Sequence, residues 1–234
     1  MTINFKSNFC ILQGDSHGLR NIYWSIDKIP NNSDLIHLGD IGLGFSTEES
    51  DLQNLTEINN RLINKNIRFF GLAGNHDNKK YWRNNHSFSN LFLIPDYTKA
   101  IFPNGKTALL VGGGISIDRF YRTEGKDYWK DEGTIYEKTN ERFDYLFIHD
   151  APDYFNHSTE SIKRSSYSKL LDDDKDLFKD CLNQRNVISN IVQDTQPRFI
   201  FGAHFHNHVQ EEKNGIKYRC LNIDELLELD TDKL

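Results

Sequence analysis

The sequence predicts an α/β fold, and three features carry the prediction. Short apolar runs recur along the chain, they are continuous rather than alternating, and helical patterns lie between them. Continuous runs mark strands covered on both faces, and strands alternating with helices mark an α/β architecture. Strands are expected at Phe9–Leu12, Leu35–Leu38, Phe69–Leu72, Leu109–Val111, Tyr145–Ile148 and Phe199–Phe201. Between the second and third, Leu52, Leu55, Ile58, Leu62 and Ile63 recur at helical spacing. A second helix is expected from about Asp172 to Val192, with Leu177, Cys181, Leu182, Ile188, Ile191 and Val192 on one stripe. Asp172, Asp173 and Asp174 would then be its solvated start, at the positive end of the helix dipole. Val209–Glu212 and Ile216–Cys220 flank Lys213-Asn214-Gly215, and Asn-Gly supplies the positive φ angles of a type I′ hairpin. Part of the sheet should therefore be antiparallel.

The bulk composition sets limits on the rest. With 234 residues, 37% hydrophobic and 26% charged, residues 1–234 suit a single domain with a continuous core. A net charge of -6 argues against a generally basic nucleic-acid surface, although a local positive groove, and so nucleic acid as a partner, is not excluded. Cys10, Cys181 and Cys220 are far apart and odd in number, which suits a reducing cytosol better than a disulfide framework or a Cys-x-x-Cys metal site. The polar N-terminus runs straight into an apolar strand and leaves no room for a signal-peptide core. No apolar stretch reaches the roughly 18 residues of a membrane span. A soluble, cytoplasmic protein with no membrane partner is expected.

The residues just after each apolar run are more informative. Leu12 is followed by Gln13-Gly14-Asp15-Ser16-His17-Gly18, Leu38 by Gly39-Asp40, and Leu72 by Ala73-Gly74-Asn75-His76-Asp77. Ile148 is followed by His149-Asp150-Ala151-Pro152, and Phe201 by Gly202-Ala203-His204-Phe205-His206. Five strands thus deliver ligand types at their carboxyl ends, where the loops of open α/β sheets converge on one crevice. Imidazole, carboxylate and amide oxygen without thiolate suit divalent Mn, Fe, Co, Ni or Zn, and differ from a structural zinc site. Strand-end packing alone does not call for repeated Asp, Asn and His at one edge, because uncompensated polar groups are costly to bury.

In this order the blocks Gly-Asp-x-His-Gly, Gly-Asp, Gly-Asn-His-Asp, a lone strand-end His and a His-x-His resemble the calcineurin-like metallophosphoesterase superfamily, from Gly14 to His206. The resemblance implies a four-layer αββα sandwich, two mixed β-sheets packed face to face and flanked by helices. It also implies two divalent ions, Mn preferred, the first held by Asp15, His17, Asp40 and His206. The second would be held by Asp40, Asn75, His149 and His204. A hydroxide bridging the ions would attack phosphorus in line, and His76 would protonate the leaving oxygen. The expected activity is a phosphatase acting on a phosphoprotein, nucleotide or small phosphomonoester. The alternative is a phosphodiesterase acting on nucleotides, cyclic nucleotides or nucleic-acid ends; a third reading is a metal-binding scaffold without turnover.

Several positions depart from the family pattern or remain open. Protein phosphatases of the superfamily continue the second block as Asp-x-x-Asp-Arg-Gly, where the second Asp orients the catalytic His and the Arg contacts phosphate. Here the chain reads Asp40-Ile41-Gly42-Leu43-Gly44. A residue pair His206/His208 is a second register for the last block. Residues 113–142 are expected to form a substrate-selecting insert, with Arg119 and Arg122 as phosphate contacts and Phe120, Tyr121 or Trp129 able to stack a base. The polar stretch 157–169 is a surface loop or a lid, and His37, His86 and His157 are expected to be ordinary structural histidines.

Overall fold

The computed structural model describes residues 1–84, 86–155 and 168–234. The stretch 157–169, His157 included, therefore falls largely outside the described residues. Two mixed sheets face each other. The first has five strands in the order β12 (Leu226–Asp230), β2 (Phe9–Gln13), β3 (Asp34–His37), β4 (Arg68–Gly71) and β5 (Leu91–Leu93). Only β12 runs antiparallel to its neighbour. The second has seven, in the order β1 (Thr2–Asn4), β6 (Thr98–Ile101), β7 (Thr107–Val111), β8 (Tyr145–Ile148), β9 (Phe199–Gly202), β11 (Ile216–Cys220) and β10 (Val209–Lys213).

Side chains alternate between the two faces of each strand, which sorts the apolar runs into layers. Leu12, Ile36, Leu38, Phe70 and Leu72 of the first sheet meet Ala108, Leu110, Tyr145, Phe147 and Phe201 of the second in the central core. The outward-facing Ile11, Leu35 and Phe69 pack against Ile22 of α1 (Leu19–Ser25) and Leu55, Ile58 and Leu62 of α2 (Glu48–Asn64). A short α3 follows at Lys80–Arg83, and its Tyr81 joins the same layer. On the other side Leu109, Leu146, Ile148 and Ile200 pack against Ile188, Ile191 and Val192. Helix, sheet, sheet, helix is the expected αββα sandwich. Each fully buried Leu, Ile or Phe contributes roughly 1.5–3 kcal/mol. Three such layers offset the cost of burying polar groups at the strand ends.

The second predicted helix differs from expectation. A short α4 (Ser168–Asp173) ends where the acidic run was expected to begin a helix, and α5 starts only at Leu177 and runs to Thr195. Asp174 lies between them, and its carboxylate binds Arg119. The hairpin is as predicted: Lys213 pairs with Ile216, and Asn214 and Gly215 have φ of 55° and 77°.

Candidate metal centre

The carboxyl ends of β2, β3, β4, β8 and β9 point the same way, and the polar blocks after them meet. Asp15, His17, Asp40 and His206 form one group, and Asp40, His149 and His204 a second, each with its ligand atoms within 4.8 Å of one another. Asp40 belongs to both. Asn75 completes the second group, with Oδ1 2.9 Å from His149 Nε2. All seven residues named from the sequence are thus brought together. His208 is not among them: it is half exposed and pairs with Glu225 at 2.9 Å, whereas His206 Nε2 lies 3.1 Å from Asp15 Oδ2.

The local backbone shows what this convergence costs. His17, Asp40, His204 and His206 have φ of 47°, 55°, 66° and 51°, a left-handed conformation that L-residues adopt only against a steric penalty. Surrounding bonds hold it in place: Ser16 and His17 both donate their N–H to the Asp40 carbonyl. A Cβ on Gly74 would lie 2.1 Å from Asp40 Oδ1, so only glycine lets the β4 loop close on that carboxylate. Asp77, in the sequence no more than the last residue of its block, is the main tie between these loops. Its buried carboxylate accepts the backbone N–H of Ile41, Gly42, Leu43 and Gly74 at 2.8–3.1 Å. Burial pushes Asp77 up to about 6 even against those four donors, which favour its ionised form.

The donor set fits a divalent cation. His149 Nδ1 donates to the Leu38 carbonyl at 2.8 Å, which leaves the Nε2 lone pair facing Asn75 Oδ1 at 2.9 Å and Asp40 Oδ1 at 3.4 Å. With Nδ1 as the donor, the lone pairs of His149 Nε2 and Asn75 Oδ1 face each other with no hydrogen between them. A cation resolves that repulsion, and a His whose other nitrogen is fixed by a backbone carbonyl is the usual form of a metal-bound imidazole. Asp40 Oδ2 is buried with no hydrogen-bond partner among the described residues, and the equally buried Asp15 Oδ2 meets His206 Nε2 at 3.1 Å.

The charges lead to the same conclusion. Burial first, then the neighbouring Asp15 and Asp77, raise Asp40 well above the usual carboxylate range. Burial also disfavours the charged form of Asp15, but its bond to His206 and the nearby His149 outweigh it and hold the carboxyl low. Two buried carboxylates this close ionise together only beside concentrated positive charge.

A cleft of about 890 Å³ opens on the two groups. His76 lines it, with its backbone N–H on Asp40 Oδ1 at 2.7 Å and its ring 5.1 Å from that of His17 and 6.0 Å from that of Phe45. Burial first, and the charge of Arg122 second, push His76 down to about 3, while Asp118 acts in the opposite sense. His37 is buried beneath the site and bonded to Ser16 Oγ at 2.7 Å, the structural role expected of it.

The aromatic and arginine expectations divide. Arg119 is spent on structure: Nε binds Asp174 at 2.6 Å and a terminal nitrogen binds Asp180 at 2.7 Å, which anchors the β7–β8 connection to the start of α5. It is not among the residues that line the cleft, where a phosphate contact was expected of it. Arg119→Ala should lower thermal stability by roughly 1–2 kcal/mol and leave KM for a small phosphate ester unchanged; a raised KM would restore the substrate role. Arg122 does line the cleft, its fork held by Asp118 at 2.7 Å on both sides and its charge 5.8 Å above the Phe45 ring. Trp129 is buried edge-on against Phe45, so its face is closed to a base, while Phe120 and Tyr121 are exposed. Sequence reasoning missed Phe45, Asp118, Ser116 and Glu132, none of which sits in a recognisable block.

Of the comparisons with known proteins, the family match agrees with the geometry. The family model described as calcineurin-like phosphoesterase matches residues 11–208. Among curated proteins none matches the sequence. A solved structure entitled "GAP50 the anchor in the inner membrane complex of Plasmodium" superposes with a TM-score of 0.42 at 12% identity, over 92% of this chain and 71% of that one. Among the described residues no helix is long and apolar enough to cross a membrane. The five blocks, the convergent donors and a match spanning most of the sequence place this chain in the calcineurin-like phosphoesterase family, whose members are phosphoric ester hydrolases.

Proposed function

We propose that this protein is a binuclear metal-dependent phosphomonoesterase. The observation that carries the reading is the pair of donor groups sharing Asp40, whose unpartnered Oδ2 lies in a cleft that His76 also lines. Asp15, His17, Asp40 and His206 would hold one ion, and Asp40, Asn75, His149 and His204 the other. The ions, preferably Mn, would activate water and neutralise charge on the phosphoryl oxygens. Arg122, held by the Asp118 carboxylate and the Asp127 carbonyl at the cleft wall, would receive a phosphate oxygen. His76 would give a proton to the leaving ester oxygen. Its ring is neutral in the absence of substrate, and the charge of an incoming phosphate, opposing that of Arg122, would favour its protonation.

A second reading, a phosphodiesterase acting on nucleotides, is supported by the size of the cleft and by Phe45, which is 43% exposed beside His76. Residues 1–234 are read as one domain, with 113–142 as the insert that selects substrate. Three free, buried cysteines support a cytoplasmic location. Hydrolysis of p-nitrophenyl phosphate, of its bis ester, of nucleotides and of a phosphopeptide should be compared with Mn or Ni added. Preference for the monoesters is expected. Faster turnover of the bis ester would select the second reading, and no turnover of any of them would remove both.

A further inference from the structure

Residues 113–142 touch the candidate metal centre along one buried chain of hydrogen bonds. Asn75 turns its amide nitrogen away from the ligand atoms and donates to Ser116 Oγ at 3.0 Å. The Ser116 hydroxyl donates in turn to Glu132 Oε2 at 2.6 Å, and Glu132 Oε1 accepts the Ser116 backbone N–H at 2.8 Å. Asn75, Ser116 and Glu132 are 2%, 1% and 1% exposed, so water does not compete for these bonds. Gly114 closes the same corner, because a Cβ there would lie 3.1–3.5 Å from His149, Asn75 and His204.

The chain of bonds has a direction. A hydroxyl carries one hydrogen, and Ser116 commits it to a carboxylate, which when ionised can only accept. Burial pushes Glu132 up to about 7, so that condition holds above this pH. The Ser116 oxygen can then only accept from Asn75, and of the two ends of an amide only the nitrogen donates. Oδ1 is left facing His149 Nε2. The two flipped forms of an amide have nearly the same shape, so packing against Asn75 cannot choose between them, whereas hydrogen-bond polarity can. A reversed amide would aim its NH₂ at the ligand atoms, where it would repel a cation and occupy its place.

We propose that Ser116 and Glu132 are positioning residues that fix the Asn75 amide with its oxygen toward the second metal group. This rests on the metal-centre reading above. It makes residues 113–142 part of the machinery that loads the metal as well as part of the cleft wall. Supporting groups of this kind typically change metal affinity by about ten- to a hundredfold when removed.

The test titrates Mn(II) alone into the metal-free chain of residues 1–234, at a pH well above the Glu132 value, by calorimetry and by electron paramagnetic resonance. Thermal unfolding of each metal-free variant is recorded beside it. Wild type should bind two ions. Ser116→Val should weaken one site by about ten- to a hundredfold and leave the other unchanged, while Ser116→Thr, equal in size to valine but keeping the hydroxyl, should retain near-wild-type affinity. Adding Ser116→Val to Asn75→Ala should weaken binding no further, because the two act through one ligand. Full Mn affinity at both sites in Ser116→Val would overturn the proposal, even if its unfolding temperature fell. So would additive losses in the double variant. If Ser116→Val does not fold, Glu132→Gln carries the test, since a glutamine amide can donate to Ser116 Oγ and release its hydrogen toward Asn75. Absence of any Mn binding by wild type would be a failure of the metal-centre reading itself.

Discussion

Asp40→Asn is expected to abolish Mn loading at both groups and to cut turnover by about a thousandfold or more, the equivalent of losing roughly 4 kcal/mol of charge stabilisation. Asp40 is the one residue common to the two groups, with Oδ2 3.7 Å from His17 Nε2 and Oδ1 3.4 Å from His149 Nε2. Asparagine keeps an oxygen for the His76 N–H, so the β4 loop should stay in place. It replaces the other oxygen with a donor and removes the charge. Stability should move the other way. Burial, Asp15 and Asp77 all disfavour ionised Asp40, so the metal-free variant should unfold at the wild-type temperature or above it. The rise in unfolding temperature that Mn produces by binding only the folded chain should disappear. If Asp40→Asn keeps that Mn-dependent rise, Asp40 is not shared by the two ions.

The second large effect belongs to His76. His76→Ala should retain both ions and lose about 10²–10⁴ in kcat, the usual worth of a positioned general acid. The loss should be greatest for alkyl esters, whose leaving oxygens need the proton most, and smallest for p-nitrophenyl phosphate. The geometry behind this separation is that His76 meets Asp40 only through its backbone N–H while its ring faces the cleft beside Phe45. Metal analysis of the purified variant beside its kinetics checks it. Equal loss of metal in His76→Ala and Asp40→Asn would merge the two roles into one.

Much of this site was legible in the chain because it is built from strand ends. A strand that leaves a covered sheet delivers its next few residues to one edge, so Asp15, Asp40, Asn75, His149 and His204 could be placed together without any knowledge of contacts. The same holds for the layers: Leu12 and Ile11, or Phe70 and Phe69, are neighbours whose opposite burial follows from the pleat. Strands β1, β5, β6 and β12 were not recognised, being short or mixed in polarity. Their existence depends on the neighbours they pair with, as Leu226–Asp230 pairs with β2.

The arginines show where such reasoning stops. Arg119 and Arg122 lie in one sequence neighbourhood and looked equivalent, yet one is anchored on α5 by Asp174 and Asp180 and the other faces the cleft. The predicted helix start at Asp172 failed for the same reason, since Asp174 serves a residue 55 positions away. Asp77 and Glu132 are likewise ordinary carboxylates in the sequence, and their partners come from other loops.

By itself the sequence determined the α/β layering and the ligand types at five strand ends, because side-chain periodicity and strand direction are local properties of the chain. Only the tertiary structure put His206 rather than His208 beside Asp15, tied Arg119 to Asp174 and Asp180, and set Ser116 and Glu132 behind Asn75. Those are contacts between residues remote in sequence, and their distances and hydrogen-bond polarity exist only once the two sheets have packed.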